Sequence, residues 1–203
     1  MIDLSAYPIL NSHMSALKDT SIDKRDNHTE KFMTESERPA VNFDQVKEEY
    51  IECLGLSEIP KSNDALLEDG KGGLVFVEFK NGYMDKKKQF DVRKKIYDSV
   101  LIFSDIVSAG ISDMRKYVEY ILVYNEKVNA GNPEIVEEKK KHVQPSASFD
   151  CFAKEVSGLA GEEYVSFGVK IFENYCFKKV HTYTEKEFEK YLNCISASRT
   201  ASV

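Results

Sequence analysis

Apolar positions along the chain predict a helix, then two paired strands, then a long helix and a third strand. From Phe43 to about Leu54 they return at helical spacing, with Phe43, Val46, Tyr50, Cys53 and Leu54 on one stripe. Asn42 stands as N-cap with Gln45 three residues on, and Gly55 closes the C-terminus. Ala65-Leu66-Leu67 and Leu74 to Lys80 are two short strands, joined by the acidic, glycine-rich reversal Glu68-Asp69-Gly70-Lys71-Gly72-Gly73. The second strand is apolar enough to be central in a sheet. Glu78 and Lys80 nevertheless interrupt it on one face, because side chains alternate along a strand. A buried charge is costly unless it is paired or metal-bound, so two charges at i and i+2 ask for an explanation.

Beyond Asn81-Gly82 a helix is predicted from about Lys86 to Val107, with Val92, Ile96, Val100, Phe103 and Val107 on one line. Its latter half, Val100 to Val107, is apolar nearly all round and is expected to be covered on two sides, by another layer or by a second subunit. Val118 to Tyr124 reads as a central strand, parallel to the Glu78 strand through a right-handed crossover. Pro133 opens a charged helix through Lys141, and Phe149 to Val156 reads as another short helix. Val165 to Ile171 and Cys176 to Tyr183 read as late strands paired around Glu173-Asn174. Thr184 to Glu187 is a capping box, and Phe188, Tyr191, Leu192 and Ile195 are the stripe of the last helix.

The pattern Asp64, thirteen residues, then Glu78-Phe79-Lys80 resembles the PD-(D/E)XK, or restriction-endonuclease-like, superfamily. Pro60 does not directly precede the Asp, a departure from the full motif. The resemblance covers roughly residues 42–127. It implies an α/β fold, a mixed sheet core of order α-β-β-α-β flanked by helices, with a C-terminal strand and helix as a supplement. It also implies a hydrolase: Asp64 and Glu78 as ligands of Mg²⁺ or Mn²⁺, and Lys80 acting on the attacking water or the transition state. Glu49 is the glutamate of the first helix placed to reach such a site, the alternative being a plain surface residue. Gln89, and slightly off the line Arg93, point inward where the Glu78 strand ends; they either assist the site or project past the core.

Composition adds a substrate surface and a compartment. The net charge is −6, which excludes a protein that coats nucleic acid by charge alone. Between Lys80 and Lys95, however, seven Lys or Arg stand against two Asp. Lys87, Lys88, Arg93 and Lys94 are therefore the expected phosphate contacts, with DNA the expected nucleic acid. The alternative is a solvated basic loop. Lys178, Lys179 and His181 either extend a substrate groove or face solvent. The four cysteines are scattered without a CxxC pair, as suits reduced thiols in a cytoplasmic protein. No apolar run is long enough to cross a membrane.

Residues 1–40 are polar and aperiodic, a segment expected to be partly disordered or docked, with His13 and His28 in solvent and a weak helix near 30–36. Residues 41–195 are expected to form one nuclease-like domain and 196–203 a frayed tail. The reading is thus a metal-dependent nuclease acting on DNA. The alternative is a module with the same fold that binds without cleaving, dimeric through the apolar helix face.

Overall fold

The computed structural model describes residues 2–23, 31–142 and 164–200. A 3-10 turn (Leu4–Ala6) and the short helix α1 (Pro8–Asn11) lead into β1 (Met14–Ala16). Then follow α2 (Leu17–Thr20), the antiparallel pair β2 (Ile22–Asp23) and β3 (Lys31–Phe32), and β4 (Pro39–Asn42). The centre of the chain is α3 (Phe43–Leu54), β5 (Ala65–Glu68), β6 (Leu74–Lys80), α4 (Lys86–Val107), α5 (Ile111–Tyr117) and β7 (Val118–Tyr124). The remainder is α6 (Glu126–Asn129), α7 (Pro133–His142), a 3-10 turn (Lys170–Phe172), β8 (Val180–Thr184) and α8 (Glu185–Thr200).

Among the described residues these strands form a six-stranded mixed sheet in the order β1-β4-β5-β6-β7-β8. Pairing is antiparallel from β1 through β6, then parallel from β6 to β7 and from β7 to β8. Helices cover both faces, so the molecule is mixed α/β. Phe76, Tyr120 and Leu122 meet α3 and α4 on one face, together with Val92, Ile96 and Phe103. Val75, Val77, Ile121 and Val123 meet Phe188, Leu192 and Ile195 of α8 on the other. Each such fully buried side chain contributes about 1.5–3 kcal/mol. Strands buried on both faces read as continuous apolar runs, which is why β6 and β7 stand out in the sequence.

Local chemistry sets the helix ends. Asn42 Oδ1 accepts from Gln45 N–H at 3.3 Å, and Gly55 takes the left-handed conformation at φ 63° that ends α3. Asp85 caps α4 by accepting from Lys88 N–H at 2.8 Å, which sets a negative charge against a lysine-rich first turn. Thr184 and Glu187 form the reciprocal cap of α8, with Glu187 Oε2 accepting from Thr184 N–H and Thr184 Oγ1 from Glu187 N–H.

Several expectations are corrected. Val165–Ile171 is not a strand: Phe167 and Gly168 both take positive φ, 61° and 65°, which breaks an extended run. The strand expected over Cys176–Tyr183 is confined to Val180–Thr184. Of the two alternatives for the N-terminal segment, the described residues 2–23 and 31–40 are docked: β1 adds to the sheet and Leu4, Leu10 and Leu17 are buried. No helix forms around 31–36, where Lys31–Phe32 is a strand. Cys53 and Leu54 end the α3 stripe in solvent, and Leu101 of α4 is 68 % exposed. The 196–200 part of the expected tail continues α8. The helix expected at 149–156 lies outside the described residues. Among those described, no helix is long and apolar enough to cross a membrane.

Candidate functional site

The β5–β6 register brings the motif together. Ala65 pairs with Val77, so one residue further out Asp64 stands opposite Glu78. The backbone continues that ladder, with Asp64 N–H donating to Val77 O at 3.1 Å, and Asp64 Oδ2 accepts from Phe79 N–H at 2.6 Å. Glu78 and Lys80 follow Phe76 on the face toward α4. From that helix Lys95 reaches down between the carboxylates.

The result is a quartet of two acids and two bases. Lys95 Nζ lies 2.9 Å from Asp64 Oδ1, 3.0 Å from Glu78 Oε2 and 2.8 Å from Glu78 Oε1. Lys80 Nζ is 2.5 Å from Glu78 Oε1. The Glu78 side chain is wholly buried and the other three are 14–19 % exposed. Glu78 Oε1 touches both ammonium groups yet accepts an aligned hydrogen bond from neither. Tyr120 Oη is likewise buried without a hydrogen-bond partner. Burial, then the Glu78 and Asp64 charges, push the Tyr120 phenol well above its usual value.

Burial is also the largest influence on Asp64. With the neighbouring Glu78 it pushes the carboxyl from 3.8 up to about 6, against the opposing pull of Lys95, Lys80 and the Phe79 N–H. Burial works against the Lys95 charge, but Glu78 and then Asp64 outweigh it and raise the ammonium above its usual value. Pairing is what makes these charges tolerable in such a place.

Asp64 also lines an open cleft of about 370 Å³ whose walls include Asp19, Asn42, Asp44, Glu48 and Asn81. The α3 acids that face this cleft are Asp44 and Glu48. Glu49 lies one residue round the helix, where β1 brings His13, and its Oε2 pairs with His13 Nε2 at 2.7 Å. His13 is therefore engaged, not idle in solvent. His28 lies outside the described residues.

The remaining expected site residues are distributed along α4. Gln89 is buried, its amide donating to Met84 O at 3.3 Å and to Glu134 Oε1 at 3.0 Å, so it ties α4 to α7. Arg93 lies against Gly168, with Nε buried and without a hydrogen-bond partner. Lys86 pairs with Glu134 and Lys94 with Asp98, both at 2.7 Å, while Lys88 Nζ donates to Tyr83 O at 2.8 Å. Lys87 projects into solvent. Internal acids thus neutralise much of the basic run. Lys178 and His181 both approach Glu119, at 3.3 and 3.7 Å. His181 shares the register of Ile121 and Val77, whose side chains face α8, so it lies on the face away from Glu78.

Lys95 is the member of the quartet that sequence reasoning missed. It adjoins the buried line of Val92 and Ile96, but a lysine there is indistinguishable in sequence from its neighbour Lys94.

Among the described residues, no group of three or more His, Cys, Asp or Glu side chains is arranged to hold a metal ion. Two carboxylates do suit a hard cation that keeps water and substrate oxygens in its shell, as Mg²⁺ commonly does. Asp64 and Glu78 supply that donor set, their charges here balanced by Lys80 and Lys95. No family model, curated protein or solved structure matches the chain.

Proposed function

We propose that the protein is a divalent-metal-dependent nuclease of the restriction-endonuclease-like kind, hydrolysing phosphodiester bonds in DNA. The observation that carries this reading is the convergence of the Asp64 and Glu78 carboxylates with the Lys80 and Lys95 ammonium groups where β5 and β6 meet α4. Asp64 and Glu78 would hold the cation. When bound, Mg²⁺ or Mn²⁺ supplies Lewis acidity toward the phosphate and lowers the pKa of an attacking water. Lys80 is held by Glu78 with its charge at the cluster, where it is available to orient water or to offset negative charge developing on phosphorus. Asp64 must be ionised to act as a ligand, so its raised carboxyl couples cation binding to release of a proton. Lys95 keeps both carboxylates compensated and has to yield to a cation that takes its place. At the start of α4, Lys87 remains the exposed phosphate contact under this reading, beside the half-buried Lys88.

A second reading rests on that same lysine. Two internal ammonium groups balance two carboxylates, an arrangement that also suits a fold that binds without cleaving. Lys80 separates the two. A residue acting in the transition state affects turnover far more than ground-state binding. Lys80→Ala is therefore expected to bind Mn²⁺ and DNA as the wild type does and to cut about 10²–10³ times more slowly. Single-turnover cleavage of labelled linear DNA measures this. Equal rates in the two proteins would remove Lys80 from the chemistry, and no cleavage by the wild type would favour the binding module.

A further inference from the structure

The outer face of α4 is unexplained by anything above. Phe90 is 69 % exposed, Tyr97 43 % and Leu101 68 %. They recur at intervals of seven and four residues and so form one stripe along the 22-residue helix. Apolar rims flank it. On one side Lys61 N–H donates to Asp98 Oδ2 at 2.7 Å, and Ile59, two residues earlier, is 70 % exposed. On the other side Phe172 packs against Tyr97 with ring centroids 5.0 Å apart, and its neighbours Ile171 and Tyr175 are 54 % and 57 % exposed. A contiguous apolar surface of this kind marks an interface.

The charges along the stripe say what covers it. Near the stripe, Lys87 and Lys94 stand in the first half of α4 and Asp98 and Asp105 in the second, the reverse of what the helix dipole favours, while Asp91 in the first half is paired with Lys61 at 2.6 Å. Lys87 and Asp105 are both exposed. They are eighteen residues apart, which is about five full turns, so they lie on one line of the helix, whose midpoint is level with Ile96 on the opposite, buried face. Lys94 and Asp98 are equidistant from that level but pair with one another. Such a face is complementary to itself when two copies cross antiparallel about a two-fold axis near Tyr97. Lys87 then meets Asp105 of the second copy, and Phe90 meets its Leu101, each pairing occurring twice. A parallel arrangement would set lysine against lysine and aspartate against aspartate.

We infer that two copies of this chain dimerise through the outer face of α4, antiparallel and centred near Tyr97. The inference does not depend on the nuclease reading, and it assigns Lys87 to the interface instead of to phosphate. Sedimentation of the full chain in the micromolar range should report twice the chain mass. Leu101→Glu should give a monomer that still unfolds cooperatively, since the side chain is 68 % exposed in the single chain. Lys87→Glu and Asp105→Lys each create two like-charge contacts and should each weaken self-association at least about tenfold. An equimolar mixture of those two variants restores an opposite-charge pair at both ends and should regain wild-type affinity as a heterodimer. A wild type that stays monomeric at about a hundred times that range would overturn the inference and leave the face to a different protein. A mixture no tighter than either variant alone, or a Leu101→Glu protein that remains dimeric, would overturn it equally.

Discussion

Burial and the neighbouring Glu78 raise the Asp64 carboxyl from 3.8 to about 6, and this one group gives the fold a pH signature. The folded chain keeps a proton there that the unfolded chain releases at its ordinary value. Asp64 therefore favours the folded state fully below about pH 4, and that contribution is lost as pH rises through about 6. Asp64→Asn carries no such proton. Its stability relative to wild type should rise between pH 4 and pH 7, by about 2–3 kcal/mol. Urea melts of both proteins at those two values measure the difference, and a difference that does not change with pH would contradict the assignment. Lys95 works in the opposite sense. Without it, Asp64 and the wholly buried Glu78 share one remaining ammonium group, and breaking a buried pair costs about 3–5 kcal/mol. Lys95→Met should lose about that much near pH 7 and less near pH 5, where Asp64 takes up a proton. A loss independent of pH would mean that Lys95 matters only for packing. Asp64, Glu78 and Lys80 are legible in the sequence because strand alternation and one tight turn fix their relation. Lys95 is not, because only the packing of α4 selects it from a run of lysines.

At the scale of elements, legibility followed burial on both faces. β6, β7, α3 and α4 emerge with the bounds that their apolar runs and caps predict, since propensity, pattern and tertiary burial agree there. The 165–177 segment is apolar for a different reason. Phe167, Val169, Phe172 and Phe177 are buried as separate anchors in an irregular stretch, and no periodicity distinguishes such anchors from a strand. Side chains from other elements hold it: Phe167 N–H donates to Glu134 Oε2 at 2.8 Å and Ser166 N–H to Thr182 Oγ1 at 3.0 Å. Gly168 is the tight point, because a methyl group added there would come within 2.1 Å of Arg93 Nη2, at a φ of +65°. Left-handed backbone costs about 1–2 kcal/mol for a residue with a Cβ. Gly168→Ala should therefore destabilise the protein by about 2 kcal/mol or more, displacing Arg93 as well. In an Arg93→Ala background the clash is gone and only the backbone cost of about 1–2 kcal/mol should remain. A thermal double-mutant cycle reads the coupling, and strict additivity would show that Gly168 and Arg93 do not press on one another.

For the whole molecule, the N-terminal segment that sequence pattern leaves as either disordered or docked completes the fold. Its apolar residues come from one-turn elements, so each is a single anchor and none repeats at helical or strand spacing. Leu4 is 6 % exposed, and Leu10 and Leu17 are fully buried. β1 covers the edge of β4, pairing Met14 with Val41 and Ala16 with Pro39. Tyr7 Oη donates to Val107 O at 3.3 Å, and His13 pairs with Glu49, so the segment also ties the end of α4 to α3. Three leucines at about 1.5–3 kcal/mol each amount to a large part of the 5–15 kcal/mol by which a domain is ordinarily stable. Removing residues 1–17 would strip those anchors and expose a strand edge, a template for association between chains. The truncated protein should lose its cooperative thermal transition or aggregate. Leu10→Ala in the intact chain should lower stability by about 2–5 kcal/mol without exposing that edge. Circular dichroism melts compare the three proteins directly. A linker would leave the melting temperature unchanged in both altered chains; an unchanged value in Leu10→Ala alone would mean that the strand edge, and not the leucine anchors, is what the segment protects.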